Sequence, residues 1–303
     1  MNDSPYTIRN YRNADFDSFV RLYREAVKDE PPGRTSTREA VADSMKFPGY
    51  SPEEDLFIVE ACGDMVGYLD VRPELAIERV IISCWVLPGH RRKGLAAKLL
   101  ESGMKRTGDL GAPVAHVNIL EENVSGKMFL ERLGFLCIRR YLELRLDMSR
   151  LDIEQVLLAS GGCRHLKKGE EAALTTVQNR SFSEHWGYNP NTVEMTTAFI
   201  ERRNCSHEDV VLTCEVDKII GYCWTQLCDD DTGIIYMIGT DPDYRGRGIG
   251  RKLLMAGLAH MHNKNVHAVT LTVDSENTTA LALYESTGFE VWKRSLWYEK
   301  AVA

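Results

Sequence analysis

The strongest constraint on this chain is that it matches itself. Residues recur at a fixed offset of 154: Gly67 with Gly221, Pro88 with Pro242 and Arg91 with Arg245. Lys98-Leu99-Leu100 returns as Lys252-Leu253-Leu254, Asn123 as Asn277, and Gly134-Phe135 as Gly288-Phe289. From 67 to 135, fifteen of 69 positions are identical without a gap, whereas ordinary residue usage gives about four. Self-similarity of this kind means one structural unit used twice. At 303 residues the chain has room for two cores of about 150 residues each. Met148 to Gly162 separates the copies and ends in the turn-rich Ala159-Ser160-Gly161-Gly162. The expected domains are therefore 1–150 and 151–303.

Each copy carries the same local pattern. In the first, Tyr6 to Arg9 reads as a strand and Asp15 to Val27 as a helix, with Phe16, Phe19, Val20 and Tyr23 at helical spacing. Leu56 to Ala61 and Met65 to Leu69 flank a turn at Cys62-Gly63-Asp64, a hairpin signal. A β-rich run over Arg79 to Val86 and an amphipathic helix over Arg92 to Thr107 follow. Then come a strand over Val114 to Leu120 and a short helix over Ser125 to Leu133. Gly134 suits the position after that helix, and Phe135 to Asp147 is expected to give two closing strands. The second copy repeats the order from Val210 to its closing run Phe289 to Tyr298.

Charge and composition narrow the partners. The formal net charge is −7, so no general attraction draws the chain to nucleic acid or anionic lipid. No run of about 18 apolar residues suggests a membrane helix, and Met1 to Pro5 lacks the basic and apolar regions of a secretory signal. The eight cysteines form no C-x-x-C pair. They read as small buried hydrophobes in a reducing compartment, with no metal role. A cytoplasmic protein is expected, with no nucleic acid or membrane partner; the oligomeric state is left open.

The segment with chemistry in it is Thr240-Asp241-Pro242-Asp243-Tyr244-Arg245-Gly246-Arg247-Gly248-Ile249-Gly250, between a strand and a helix. Its glycines let the backbone turn tightly and bring successive amides close to a ligand. The positive end of the following helix favours an anion such as a diphosphate. The spacing is that of neither a Walker loop nor a dinucleotide fingerprint. About thirty residues on comes Asn277 to Phe289, with Ala280 and Tyr284 inside it.

Together these two segments resemble the GNAT superfamily of acyl-CoA N-acyltransferases, over nearly the whole chain and in two copies. The resemblance implies an α/β fold of two tandem units, each a mixed, mostly antiparallel twisted sheet flanked by helices. It implies acetyl-CoA as cosubstrate. The strand end Ile238-Gly239-Thr240 would splay from its neighbour and leave backbone groups for the acyl and pantetheine arm. The amides of Arg245, Gly246, Arg247, Gly248, Ile249 and Gly250 would grip the pyrophosphate. Asn277 and Ala280 would line the sulfur end, and Tyr284 would stand near the thioester sulfur as general acid. An amine would attack the thioester directly while backbone N–H groups stabilise the developing negative oxygen. A phenol with a pKa of about 10 can protonate a thiolate whose conjugate acid lies near 8.5.

The two copies depart from that pattern differently. The first keeps Arg91, Arg92, Lys93, Gly94, Leu95 and Ala96, an R-x-x-G-x-A version of the loop that still suits CoA, but Leu130 stands where the second has Tyr284. Neither Met128 nor Phe129 replaces the acid. The first copy is thus cofactor-binding or structural, and catalysis belongs to the second. Where many members of the superfamily carry a glutamate, eleven residues before the loop arginine, the chain has Ile234 and Val80. Asp229, Asp230, Asp231, Glu184 and His185 are the candidate bases. The segment Ser181 to Pro190 forms either an acceptor pocket or, through Phe182 and Trp186 at i, i+4 spacing, a helix's core stripe. Tandem copies with a degenerate first half resemble mycothiol synthase-like members, although Ile234 and Gln226 replace an acid and a lysine expected there. The acceptor is read as a primary amine on a small molecule or peptide. A non-catalytic acyl-CoA sensor and a protein N-acetyltransferase are the rival readings.

Overall fold

The computed structural model describes residues 5–28, 37–202, 205–228 and 231–302. In chain order the elements are β1 (Tyr6–Asn10), α1 (Phe16–Val27), α2 (Arg38–Met45), α3 (Pro52–Asp55), β2 (Leu56–Ala61), β3 (Asp64–Glu74) and β4 (Arg79–Val86). They continue with α4 (Leu95–Asp109), β5 (Val114–Leu120), α5 (Val124–Arg132), β6 (Leu136–Asp147), α6 (Ile153–Ala159), β7 (Arg164–His165), α7 (Glu171–Phe182) and α8 (Val193–Ile200). The last are β8 (Val210–Glu215), β9 (Lys218–Leu227), β10 (Thr232–Thr240), α9 (Ile249–Asn263), β11 (Ala268–Asp274), α10 (Thr278–Glu285) and β12 (Glu290–Ala301). The run Phe135 to Asp147 holds one long strand, Leu136–Asp147, rather than two, because no turn residue interrupts its pleat.

By packing, the described residues divide into two compact units. One is Met1–Arg139 with Ser295–Ala303, and the other is Arg140–Arg294. The sequence repeat and the packed units therefore differ at their closing strands. In the first unit β1, β2, β3 and β4 pair antiparallel in order, β5 joins β4 in parallel, and Ser295–Ala301 of β12 completes the sheet against β5. In the second, β7, β8, β9 and β10 run antiparallel, β11 joins β10 in parallel, and Tyr141 to Asp147 of β6 completes the sheet against β11. Each unit is thus a mixed, mostly antiparallel sheet flanked by helices.

The repeated helices α4 and α9 cover corresponding faces. Leu95, Leu99 and Leu100 on α4 and Leu253, Leu254 and Leu258 on α9 are buried, each set on the stripe that 3.6-residue periodicity brings to one side. The identity of Gly103 with Gly257 has a packing cause. A Cβ on Gly257 would lie 2.5 Å from the Cys223 sulfur, and one on Gly103 would lie 2.9 Å from Leu69. Only glycine lets these helices approach their sheets so closely.

Candidate active site in the second unit

Asp241 begins the loop between β10 and α9. Its carboxylate accepts from the Asp243 amide at 3.1 Å and from Arg180 Nη2 at 2.9 Å, with Lys218 Nζ 3.1 Å away. These cations and the amide hold the buried carboxyl down at about 2. Past this anchor Gly246 and Gly248 take φ of 76°, and Gly248 is the N-cap of α9 with no side chain over the helix end. The first-turn amides of a helix have no intrahelical partner, so this end is left for a ligand. A Cβ at Gly246 or Gly248 would meet nothing within 4 Å; backbone conformation, not crowding, demands glycine there. The open ground above the amides suits a diphosphate. Gly250 differs: its φ is not positive, and a Cβ would make only ordinary contacts at 3.8 and 4.0 Å, which explains why Ala96 serves in the first copy. The arginine side chains are engaged within the protein. Arg245 donates to the Ser181 carbonyl at 2.8 Å, and Arg247 donates to the Asp243 carbonyl at 3.3 Å.

A cleft opens beside this loop because two parallel strands part. β10 pairs with β11 only from Thr232 to Ile235, whereas both strands run on, to Thr240 and Asp274. The pairing of β10 with β9 shifts register between Ile235 and Met237, leaving Tyr236 as a bulge. An extra residue bends a strand and re-aims its side chains. The parting contains a cavity of about 270 Å³ lined by Ile238, Asn277, Ala280 and Tyr284 among others. Gly239 and Thr240 continue β10 toward the loop, still paired with Tyr222 and Gly221.

Asn277, Ala280 and Tyr284 reach the cavity together because i, i+3 and i+7 lie on one face of α10. Asn277 also caps that helix, its Oδ1 accepting from the Ala280 amide at 3.1 Å, as Asn123 caps α5 through Gly126 at 2.9 Å. The cap accounts for the asparagine in both copies. Tyr284 is 7% exposed, edge-on to Phe289 at 5.9 Å, and its hydroxyl has no hydrogen-bond partner among the described residues. Burial pushes the phenol well above its ordinary value, with a lesser contribution from Cys223. It stays protonated at neutral pH.

The opposite wall comes from the segment after α7. That helix ends at Phe182, so Phe182 and Trp186 do not share a helical stripe; both line the cavity, with His185 and Tyr188. Burial lowers the His185 pKa, and Arg245 lowers it further, leaving a neutral imidazole at neutral pH. Glu184 is exposed and lies 3.5 Å from Arg245. Asp231 is absent from the cavity lining, and its carbonyl accepts from the His267 amide; Asp229 and Asp230 fall outside the described residues. Sequence reasoning missed Tyr236, Asp274 and Tyr141 on this lining. Tyr141 belongs to β6, read with the first repeat, so nothing in its neighbours pointed here.

In the first unit the loop keeps its shape. Gly94 caps α4 with φ 75° and ψ 3°, against 76° and 2° at Gly248. Arg92 takes φ 63° where the second copy has Gly246, a left-handed conformation that costs a non-glycine residue about 1–2 kcal/mol. Arg91 donates to the Val86 carbonyl at 2.9 Å and Lys93 to the Tyr6 hydroxyl at 2.7 Å. Leu95 is buried and Ala96 packs partly against the core. Leu130, 3% exposed, fills the place of Tyr284, and β4 pairs with β3 without a bulge.

Two repeated α/β units, with parted parallel strands beside a glycine turn at a helix start, define a tandem acyltransferase fold. The family model described as Acetyltransferase (GNAT) family matches residues 18–135 and 173–289, and the chain belongs to that family. It is an acetyltransferase of the GNAT type, whose fold takes acetyl- or acyl-CoA. The chain is 29% identical over 293 residues to the mycothiol acetyltransferase of Actinosynnema mirum, covering 93% of this chain and 94% of that one. Its fold is similar to a GCN5-related N-acetyltransferase from Sphaerobacter thermophilus, with a TM-score of 0.75, 23% identity and coverage of 100% and 97%. A tandem GNAT protein from the clavulanic acid biosynthesis pathway gives a TM-score of 0.74 at 15% identity, covering 98% and 99%. Among the described residues, no helix is long and apolar enough to cross a membrane, and no group of three or more His, Cys, Asp or Glu is arranged to hold a metal.

Proposed function

We propose that the protein transfers an acetyl group from acetyl-CoA to a primary amine of a small molecule, with the chemistry in the second repeat, 151–303, and Tyr284 as general acid. The observation that carries this reading is one buried, unpartnered phenol on the wall of a cavity opened by parted strands beside a glycine turn. The Gly246-to-Gly250 backbone would hold the diphosphate, and acetyl-CoA bound there supplies the thioester. Tyr284 keeps its proton on the phenol oxygen and gives it to the sulfur as the C–S bond breaks. A raised phenol pKa weakens an acid in water, but the same burial raises the basicity of a thiolate beside it, so the two remain matched. His185, neutral and on the opposite wall, takes the proton that the nitrogen loses on forming the C–N bond. The first repeat, 1–150, keeps the loop and lacks the acid, which suits binding without turnover.

Thiol release from acetyl-CoA, followed with an amine panel, tests the reading. Tyr284→Phe should lower kcat about ten- to a thousand-fold with little change in acetyl-CoA affinity. Equal rates in both proteins would remove Tyr284 as the acid. Tight acetyl-CoA binding with no turnover on any amine would favour a sensor instead, a reading that Ile234 and Val80 in place of a glutamate already support.

A further inference from the structure

We infer that Asn179, which does not line the cavity, is a positioning residue for the transfer: its amide fixes the segment after α7 and, through the rings of Tyr188 and Phe182, the imidazole of His185. The inference rests on the reading of His185 as the base given above.

His185 needs support from outside its own side chain. The ring lines the cavity, but neither ring nitrogen has a hydrogen-bond partner among the described residues. A base must meet its proton at a fixed place, within hydrogen-bond reach. The contact that the imidazole does make is with a ring: Phe182 lies 4.8 Å away between centroids, tilted by 44°. Phe182 in turn lies 5.2 Å from Tyr188, tilted by 31°. Both separations are those of packed aromatic pairs. A displacement of Tyr188 is therefore passed along the stack to His185.

Tyr188 is anchored by one amide. Its hydroxyl donates to Asn179 Oδ1 at 2.8 Å, and the same oxygen accepts from the Asn191 backbone amide at 2.9 Å. Asn179 Nδ2 donates back to the Asn191 carbonyl at 2.9 Å. Asparagine offers an acceptor with two lone pairs beside a donor, so it satisfies both backbone groups of Asn191 as a neighbouring strand would. Asn191 Nδ2 closes the circuit on Tyr188 Oη at 3.3 Å. The far end of the wall needs this fastening, because the backbone bonds within it join near neighbours. His185 N donates to the Phe182 carbonyl at 2.9 Å, and Tyr188 N donates to the His185 carbonyl at 3.3 Å. Gly187, with φ 69°, turns the chain just before Tyr188.

The charged groups acting on the imidazole are Arg245 from the glycine loop, Asp274 at the end of β11 and Glu184 next to it in sequence. Burial lowers the His185 pKa most and Arg245 lowers it further, while Asp274 and Glu184 raise it. Loosening the stack lets water reach the ring, so the effect of burial fades and the titration moves up toward the ordinary histidine value.

The test follows the His185 ring by NMR titration of the protein with acetyl-CoA bound, the signal being assigned by its loss in His185→Gln. Thiol release is measured alongside, with glucosamine and phenethylamine as probe amines; the titration decides the matter whether or not either probe turns over. In Asn179→Ala the midpoint should rise and kcat should fall about ten- to a hundredfold, with acetyl-CoA affinity as in the wild type. Tyr188→Phe keeps the ring and removes one bond. It should act in the same direction, about three- to tenfold on kcat, and it covers the case in which Asn179→Ala does not fold. Thr175→Val is the control. Thr175, one turn earlier on α7, is hydrogen-bonded to Thr196 of α8 at 2.8 Å, so its loss loosens the helix pair but should leave the midpoint and kcat unchanged. An unmoved midpoint in Asn179→Ala, or an equal change in Thr175→Val, overturns the inference and leaves the transfer reading standing. Full kcat in His185→Gln removes the base and this inference with it, while the role of Tyr284 stands on its own test.

Discussion

Arg180, in the last turn of α7, grips Asp241 at the start of the glycine loop through two hydrogen bonds of 2.9 and 3.2 Å. The pair joins the element that ends in the acceptor wall to the loop that would hold the diphosphate. Lys218 and the Asp243 amide share the same carboxylate, which is 1% exposed.

Asp241→Asn should therefore loosen both walls of the site. With the carboxyl held at about 2 against an unfolded value near 3.9, the ionised form contributes on the order of 2 kcal/mol. A depressed folded pKa gives stability that is complete above the unfolded value and disappears as pH falls through the folded one. Denaturant midpoints should thus converge for wild type and Asp241→Asn between about pH 4 and pH 2, and differ by a constant amount near neutrality. A constant difference persisting below pH 2 would mean that the carboxylate charge is not the source.

The glycines of the loop should separate by cause. Gly248→Ala forces a Cβ onto a φ of 76°, costing about 1–2 kcal/mol and weakening acetyl-CoA binding where the amides must point outward. Gly248→Asp adds a negative charge against the diphosphate and should abolish binding in that unit. Gly250→Ala, with ordinary contacts only, should leave the affinity within about twofold. Calorimetric titration of acetyl-CoA into the three variants checks the order; equal affinities throughout would show that the loop does not hold the ligand.

Arg92 supplies the complementary case in the first unit. Since Arg92 holds φ 63°, Arg92→Gly relieves left-handed strain but restores chain entropy to the unfolded state. The net expectation is a gain of up to about 1 kcal/mol, read as a denaturation midpoint shifted upward. An unchanged or lowered midpoint would mean that the Arg92 side chain contributes contacts that outweigh the strain.

The loop and the repeat were readable in the sequence because each rests on backbone demands that few residues meet: Gly248 at a left-handed helix start, Gly257 under a close helix, Asn277 at a cap. The Tyr284-against-Leu130 contrast was readable for the same reason, since the repeat fixed the alignment. What stayed hidden depends on partners rather than on the residue itself. Alternating apolar residues in β6 and β12 announce strands but not which sheet each completes, so Tyr141 gave no sign of lining the second unit's cavity. The bulge at Tyr236 is a property of two strands in register. Where α7 stops decided between a pocket and a core stripe, and Phe182 and Trp186 at helical spacing suited either.

The exchange of closing strands makes the chain's last residues structural for the first unit. In the sheet formed with β5, Leu296 and Tyr298 are 7% and 1% exposed. Tyr298 Oη donates to Glu131 at 3.2 Å, Lys300 Nζ donates to the Leu133 carbonyl at 2.6 Å, and Glu299 meets His116 at 2.8 Å. Burying two such side chains contributes about 3–6 kcal/mol, a large part of the about 5–15 kcal/mol that holds a domain folded. A chain ending at Arg294 should therefore lose amide protection across β4 and β5 in hydrogen exchange, while β9 and β10 keep theirs. Unaltered protection of β5 in that truncated protein would show that the first unit closes its sheet without the exchanged strand.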